Sequence, residues 1–499
     1  MPGDTDEHRS VLLVRRQIHG PQIDPVRVMM VLMGLAVLAG LARTLTTLNL
    51  TLAFSNEGWT AYHAADAVSG RALYPAPGGL VYNNYPPLGY YLIGGLGRLI
   101  GDTILAGRIL SVAAFIGITL GIRKAVLLMG AGRREAGFAA LIFAGTMLFD
   151  YDFVGVNDPQ LIAHAVQIAG LVLLLRQPRT TGSVALAAVL FVLALFIKHA
   201  LIALPLVTGF WLLATDRRNG LKFAAFGVAL VLAGAALFQA AYGRPLLAEI
   251  HDARVYWLYF AAHAMGGRAI IFLPLIASIV VWRHTAADKH IVFCVSYAVV
   301  SVLLAAYFLG GAGTGGKMLF DAIIALSLCA GVCLHRLRDS KSWVSPTLYA
   351  ACQFVPVVAY VVFRTLTGGL PHHWVARDAV AVTQTRQDIA FLKAQDGAVL
   401  CGEPALCFWA GKPFEVDLWG YQQAVAVNAR DGHELMDAIA SRRYAVLQLA
   451  APPHALGEPM EADPVWSRRV AEAIMANYRI HHTSFNGTFW VPRVPVSGH

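Results

Sequence analysis

Eleven apolar runs of roughly bilayer-spanning length constrain this chain more than any other feature. They fall near residues 28–54, 103–122, 136–149, 159–175, 182–197, 200–215, 223–242, 269–282, 290–309, 318–334 and 344–363. A hydrocarbon core about 30 Å thick is crossed by ~20 apolar residues in helical form. In lipid every backbone N–H and C=O must bond within its own segment, which leaves the helix as the solution for such runs. The pattern predicts a polytopic α-helical membrane protein with about 11 transmembrane helices. Composition agrees: 14% of the 499 residues are charged and 57% are hydrophobic. Soluble domains carry about 25% charged residues. The two runs around Lys198 are short and read as short or broken helices.

Charge placement predicts orientation. Arg123, Lys124, Arg133 and Arg134, then Arg176 and Arg179, Arg217, Arg218 and Lys222, Arg283 and Lys289, and Arg336, Arg338 and Lys341 fall in alternate loops. Basic loops stay cytoplasmic, so residues 1–27 are expected inside the cell and residues 371–499 outside. Between them, residues 28–370 form the transmembrane module, with a first outer loop at 55–102. The first apolar run is too long for a signal-peptide core and has no good cleavage site, so it reads as an uncleaved helix. The formal net charge of +9 divides unevenly. Residues 371–499 hold 11 Lys+Arg and 13 Asp+Glu, a balance of −2, and the rest hold 28 and 17, a balance of +11. The excess belongs to loops between spans, which argues against nucleic acid as a partner. The abundance of Arg, Ala and Gly suggests a GC-rich bacterial genome, hence a bacterial inner (plasma) membrane.

Residues 371–499 alternate apolar strands (398–401, 444–449) with helical stretches (387–395, 432–441). They are expected to form a small extracytoplasmic α/β domain. Cys401 and Cys407 fall there; outside the cytoplasm they either join or stay reduced. Cys294, Cys329, Cys333 and Cys352 fall in or near apolar runs and read as packing residues. No internal repeat is visible, so an inverted-repeat transporter is unsupported.

Few residues on the outer side are suited to chemistry. Glu57 follows the first apolar run, where partial desolvation makes a carboxylate a better base; the alternative is an interfacial anchor beside Trp59. The segment Asn83-Asn84-Tyr85-Pro86-Pro87-Leu88-Gly89-Tyr90-Tyr91 combines a helix-forbidding Pro pair with interfacial aromatics. Asp150, Asp152 and Asp158 lie within nine residues. They suit a divalent cation with oxygen ligands, whereas Asp158 before Pro159 equally suits a helix start. Lys198-His199 and Lys317, the latter after the run Gly310-Gly311-Ala312-Gly313-Thr314-Gly315-Gly316, place cations near the bilayer. Such cations need a partner, and a phosphate is suitable; snorkelling to lipid headgroups is the alternative. The loop 243–268 mixes aromatics with His251, Arg254, His263 and Arg268.

The order of these motifs resembles the GT-C superfamily of membrane glycosyltransferases. An acidic residue after the first helix is followed by an amphipathic outer loop, by Tyr85-Pro86-Pro87-Leu88-Gly89-Tyr90-Tyr91 and by Gly107-Arg108-Ile109-Leu110-Ser111. Phe196-Ile197-Lys198-His199 and Gly316-Lys317-Met318-Leu319-Phe320-Asp321 add to the likeness, which covers about residues 28–365 and is greatest to the protein-mannosyltransferase and aminoarabinose-transferase-like branch. The resemblance implies an inverting enzyme that moves a sugar from a polyprenyl-phosphate donor to an acceptor hydroxyl on the outer face. It maps the catalytic carboxylate onto Glu57, with Asp66, Asp152 and Asp158 in reserve. Many members carry an Asp there, often beside a second acid. Here Asn56-Glu57 stands, so a divalent cation remains an open question. Lys198, His199, Lys317, Tyr85, Arg268 and Asp158 are the candidate substrate-binding residues. The implied partners are the lipid-linked donor, membrane lipids, and a glycan, lipid or protein acceptor. A transporter or flippase for a lipid-linked sugar is one competing class, and a non-catalytic polysaccharide-binding scaffold is another.

Overall fold

A computed structural model describes residues 24–493 apart from 47, 49, 53–55, 75–77, 150–152, 248–253, 286–287, 340–342, 369–370 and 450–463. Asp150, Asp152 and His251 lie outside the described residues.

Helices occupy every apolar run read from the sequence. They are α1 (Pro25–Thr46), α4 (Thr103–Leu128), α5 (Arg133–Phe149), α6 (Gln160–Leu175), α7 (Thr181–Ile197), α8 (Ala203–Thr215), α9 (Arg217–Tyr242), α11 (Phe272–His284), α12 (Lys289–Phe308), α13 (Phe320–Asp339) and α14 (Pro346–Gly368). By length and composition, six of the described helices can cross a membrane: α1, α4, α9, α12, α14, and α13 with the 3₁₀ turn before it. A seventh candidate is the pair formed by α10 (Leu258–Gly266) and residues 269–284, bent by 69°. Helices α6, α7 and α8 are apolar but shorter. As expected, the chain breaks at Lys198, the residue that ends α7.

The first helix is shorter than its apolar run. It stops at Thr46, whose hydroxyl donates to the Arg43 carbonyl at 2.7 Å; a side chain that bonds its own helix backbone competes with helix continuation. A separate helix, α2 (Asn56–Ser69), then begins. Glu57 therefore belongs to the first turn of α2 rather than to the end of α1. After α3 (Leu88–Ile100), Gly101 closes the helix at φ +82°, and Asp102 caps α4 by accepting from the amides of Ile104 and Leu105.

Beyond α14, α15 (Pro371–Lys393) leads into a four-stranded sheet. Strands β1 (Ala398–Cys401), β2 (Tyr444–Leu449), β3 (Tyr478–Ser484) and β4 (Gly487–Pro492) lie in the order β1-β2-β4-β3. β1 runs parallel to β2, pairing Val399 with Val446, while β4 runs antiparallel to β2 and β3. Short helices α16 (Pro404–Trp409), α17 (Leu418–Ala426), α18 (His433–Ala440) and α19 (Pro464–Asn477) complete the unit. Cys401 and Cys407 are joined in a disulfide with their Cα atoms 6.0 Å apart.

This C-terminal unit is docked on α2. A Cβ built on Gly58 would fall 2.0 Å from the Ala405 amide nitrogen, so only glycine admits the contact. The Tyr62 hydroxyl donates to the Lys412 carbonyl at 2.6 Å, and its ring stacks on Phe414 at 4.9 Å. The residues from Glu57 to Ala64 are consequently all buried. This part of the amphipathic outer loop is thus covered by protein.

Candidate functional site

Glu57 is fully buried, and both of its carboxylate oxygens accept hydrogen bonds. Arg108 of α4 donates from Nε to Oε1 at 2.8 Å and from Nη2 to Oε2 at 2.6 Å, and also from Nη2 to the Thr51 carbonyl. The Asn157 amide donates to Oε1 at 2.9 Å, and the Asn157 side chain donates to the Glu57 carbonyl at 3.1 Å. Gly107 permits this approach, since a Cβ there would lie 1.7 Å from Asn157 Oδ1. The side chains of Glu57 and Arg108 are 0% and 1% exposed. A bidentate Arg–carboxylate pair this deep fixes three segments: the start of α2, α4, and the loop before α6. In this arrangement both Glu57 oxygens are engaged by protein groups.

A second cluster gathers Lys198, Lys317, Tyr85 and Asp158. Lys317, in the 3₁₀ turn Gly316–Leu319, donates to Asp158 Oδ2 at 2.9 Å and to the Tyr85 hydroxyl at 3.2 Å. The other Asp158 oxygen accepts from the Gln160 amide at 2.8 Å. Asp158 thus both satisfies the α6 N-terminus, as its place before Pro159 suggested, and neutralises Lys317. Burial would raise the Asp158 carboxyl, but the charges of Lys317 and Lys198 outweigh it and hold it at about 2. Lys198 is 2% exposed and its Nζ lies 3.0 Å above the Tyr85 ring. Among the described residues its Nζ has no hydrogen-bond partner. A desolvated cation–π contact contributes about 2 kcal/mol, less than the several kcal/mol lost when an ammonium leaves water. Burial raises the Tyr85 phenol as well, yet the two lysines bring it down to about 8. His199, half-buried and 6.3 Å from the Tyr85 ring, is pushed down to about 3 by burial and by Lys198. With His199 neutral, two ammonium groups and one carboxylate leave this cluster a net charge of +1.

Lys317 and Tyr85 open onto a cavity of about 600 Å³ between the helices and the C-terminal unit. Trp59, Phe153 and Trp419 supply apolar walls, and Arg254, Lys317 and Asp417 supply charge. Arg254 lies 5.6 Å from the centre of the Trp419 ring. Trp59 is held in place by its Nε1, which donates to the Tyr82 carbonyl at 3.1 Å. The Gly-rich run contributes Gly311, Gly313 and Gly315 to the wall. At Gly313, φ is +71° and a Cβ would strike Trp419 at 2.2 Å, so glycine there allows the Trp ring of another unit to close the cavity.

Of the sequence candidates, Lys198, His199, Lys317, Tyr85 and Asp158 converge, and Glu57 forms a neighbouring buried pair. Arg268 does not join them. It donates to the Ala264 carbonyl and lines a small separate groove with Gln353 and Pro356, because the bend after α10 carries it away from the cavity. Asp66, a reserve carboxylate, pairs with Arg71 at 2.6 Å. Among the described residues no three His, Cys, Asp or Glu side chains come together as a metal site. Glu57 and Asp158 are committed to Arg108 and Lys317, so the described site does not fit a resident cation. Sequence reasoning missed Glu403 altogether. It is half-buried at the start of α16, and burial together with the Glu57 charge pushes its carboxyl up to about 7.

No protein-family model matches the chain, and no curated protein matches it. Solved structures do. ArnT from Cupriavidus metallidurans in the apo state is similar at a TM-score of 0.59 and 15% identity, over 93% of this chain and 98% of that one. The same protein bound to undecaprenyl phosphate is similar at 0.58 and 14%, with the same coverage. The fold of this chain is the GT-C fold expected from its motifs.

Proposed function

We propose that this protein is an inverting glycosyltransferase that moves a sugar from a polyprenyl-phosphate donor to an acceptor hydroxyl on the outer face of the membrane. The observation that carries the reading is the buried Lys198 ammonium, which has no hydrogen-bond partner among the described residues and lies behind the Tyr85 wall of a large cavity. An anion entering beside Tyr85 and Lys317 would supply the missing counter-charge. A departing phosphate is such an anion, and preorganised cations stabilise it as charge develops. Trp59 and Trp419 offer apolar faces to a sugar ring. The shared fold with a structure bound to undecaprenyl phosphate also supports a lipid-phosphate donor.

In this reading Lys317, Lys198 and Tyr85 bind the phosphate, Asp158 orients Lys317, and His199 backs Tyr85. Glu57 is a positioning residue that locks α2 to α4. The acceptor, a glycan, a lipid or a protein, enters beneath the C-terminal unit.

The test is turnover by the full-length protein in proteoliposomes, with synthetic polyprenyl-phosphate-linked pentoses and hexoses as donors. Release of polyprenyl phosphate with inversion at the anomeric carbon is expected for at least one donor. Movement of an intact lipid-linked sugar across the bilayer without cleavage would replace this reading with a flippase. The proposal includes eleven crossings, with the N-terminus cytoplasmic and residues 371–499 outside, as the basic loops require. A reporter active only outside the cytoplasm, fused after His499, is expected to be active. A silent but well-expressed fusion would overturn that topology.

A further inference from the structure

We infer that Trp419, carried into the cavity wall by the C-terminal unit, selects the donor's sugar by stacking its indole on the sugar ring. The inference rests on the glycosyl-transfer reading above and adds to it a residue that reads the sugar.

Six aromatic side chains line the cavity among the described residues, and Trp419 alone of them is exposed, at 37%. The others are occupied. Trp59 is buried, bonded to the Tyr82 carbonyl and set edge-on to His63 at 4.6 Å and to Tyr85 at 5.1 Å. Tyr85 carries Lys198 over its ring. Phe153 is buried edge-on to Phe320 at 5.4 Å. An exposed indole in a cavity wall gains by covering its apolar face. Its π-face is negative, which suits the weakly positive C–H side of a sugar ring.

The indole is held firmly. Trp419 lies in the first turn of α17, where Asp417 Oδ1 accepts from the Gly420 amide at 3.0 Å and the Asp417 amide donates to the Leu80 carbonyl at 2.8 Å. One turn on, the buried Gln423 accepts from the Val255 amide at 3.1 Å, and Arg254 packs against the indole. Residues 255–257 are paired in turn with the Gly-rich run. The Ala312 amide donates to the Val255 carbonyl at 2.9 Å, and the Trp257 amide donates to the Gly310 carbonyl at 2.8 Å. These bonds fix Trp419 relative to the run that leads into Lys317. Gly313, where a Cβ would strike the indole, is four residues before Lys317. Four residues span at most about 14 Å, and the sugar is bonded directly to the phosphate. A phosphate on Lys317 therefore puts the attached ring in the part of the cavity that Trp419 bounds.

A flat indole discriminates between sugars. A ring that presents only C–H groups to it stacks, whereas an isomer that turns a hydroxyl toward it buries that hydroxyl without a partner, which is costly. The preferred donor is thus a sugar with one hydroxyl-free face.

The test is equilibrium binding by the full-length protein in detergent, beside single-turnover cleavage. The ligands are synthetic farnesyl-phosphate-linked pentoses and hexoses, and farnesyl methyl phosphate, which keeps the single phosphate charge but has no sugar. Wild type is expected to favour one sugar over its isomers and over the methyl diester. Trp419→Ala should lose about tenfold in affinity for that sugar and most of the preference among isomers, while the methyl diester binds as before. Trp419→Phe should keep part of both. If Trp419→Ala melts early, Trp419→Leu, which keeps apolar bulk but has no flat face, should show the same sugar-specific loss. Wild-type affinity and sugar preference in the Ala or Leu variant would overturn the inference and leave glycosyl transfer standing. Equal weakening of the sugar and methyl diesters would reduce Trp419 to a closing contact and overturn it as well. A wild type that binds every sugar diester no better than the methyl diester, and cleaves none, would overturn the transferase reading and this inference together.

Discussion

Arg108→Met is expected to destabilise the protein by about 3–5 kcal/mol, because it leaves the Glu57 carboxylate buried without its partner. The pair is fully desolvated and joins α2 to α4 at the point where the Asn157 loop also attaches. Glu57→Gln should be nearly as damaging, since it strands a buried guanidinium. The double variant Glu57→Gln with Arg108→Met removes both charges and should regain much of the lost stability. Thermal unfolding in detergent, beside single-turnover transfer, separates two roles for Glu57. If it is a positioning residue, transfer recovers together with the fold in the double variant. If the double variant melts like wild type but still transfers about 10²-fold or more slowly, Glu57 is the base.

The second large effect is expected at the lysines, and the two should behave differently. Among the described residues Lys198 has no counter-anion of its own, so Lys198→Met removes a burial cost and should leave stability unchanged or improved. Donor affinity should nevertheless fall tenfold or more, because a charge-assisted contact contributes about 1.5–3 kcal/mol. Lys317→Met takes away the partner of a buried carboxylate and should lower both affinity and stability. Adding Asp158→Asn should restore the stability but not the affinity. The pH dependence follows from Asp158, whose folded value is depressed to about 2 from 3.8. Its contribution is present above 3.8 and is lost as pH falls through about 2. Without Lys317 that loss should begin at higher pH. Equilibrium binding of a polyprenyl-phosphate sugar, with melting temperature followed between pH 2 and 6, tests both lysines. A Lys198→Met protein that binds donor normally would return this ammonium to a purely structural role.

The hydrophobic pattern was enough to place the helices. Each apolar run holds one, because lipid forces the backbone to bond within the segment. The break at Lys198 was legible for the same reason, as a charge between two short apolar runs. Strands β1 and β2 were legible as apolar stretches between helical ones. Strands β3 and β4 were not, because β3 reads Tyr-Arg-Ile-His-His-Thr-Ser and is mostly exposed. The turn between them is Phe485-Asn486, and Gly487, which opens β4, sits at φ +109°. The true end of α1 was not legible either, since Thr46 and the residues after it continue an apolar run that the backbone abandons.

At the site, sequence alone singled out Lys198, His199, Lys317, Tyr85 and Asp158, because charges and aromatics at the edges of apolar runs are conspicuous. It did not determine their pairing. Lys317 and Asp158 are 159 residues apart, and Glu57 and Arg108 are 51 apart. Which buried charge meets which depends on helix packing, and no local pattern encodes that. The same holds for Glu403, an ordinary surface-like residue in sequence. Only the docking of α16 on Gly58 brings it beside Glu57 and raises its carboxyl. Local periodicity and solvent preference thus determined the elements, while long-range packing decided which carboxylate is locked to which cation and which lysine is set over the Tyr85 ring.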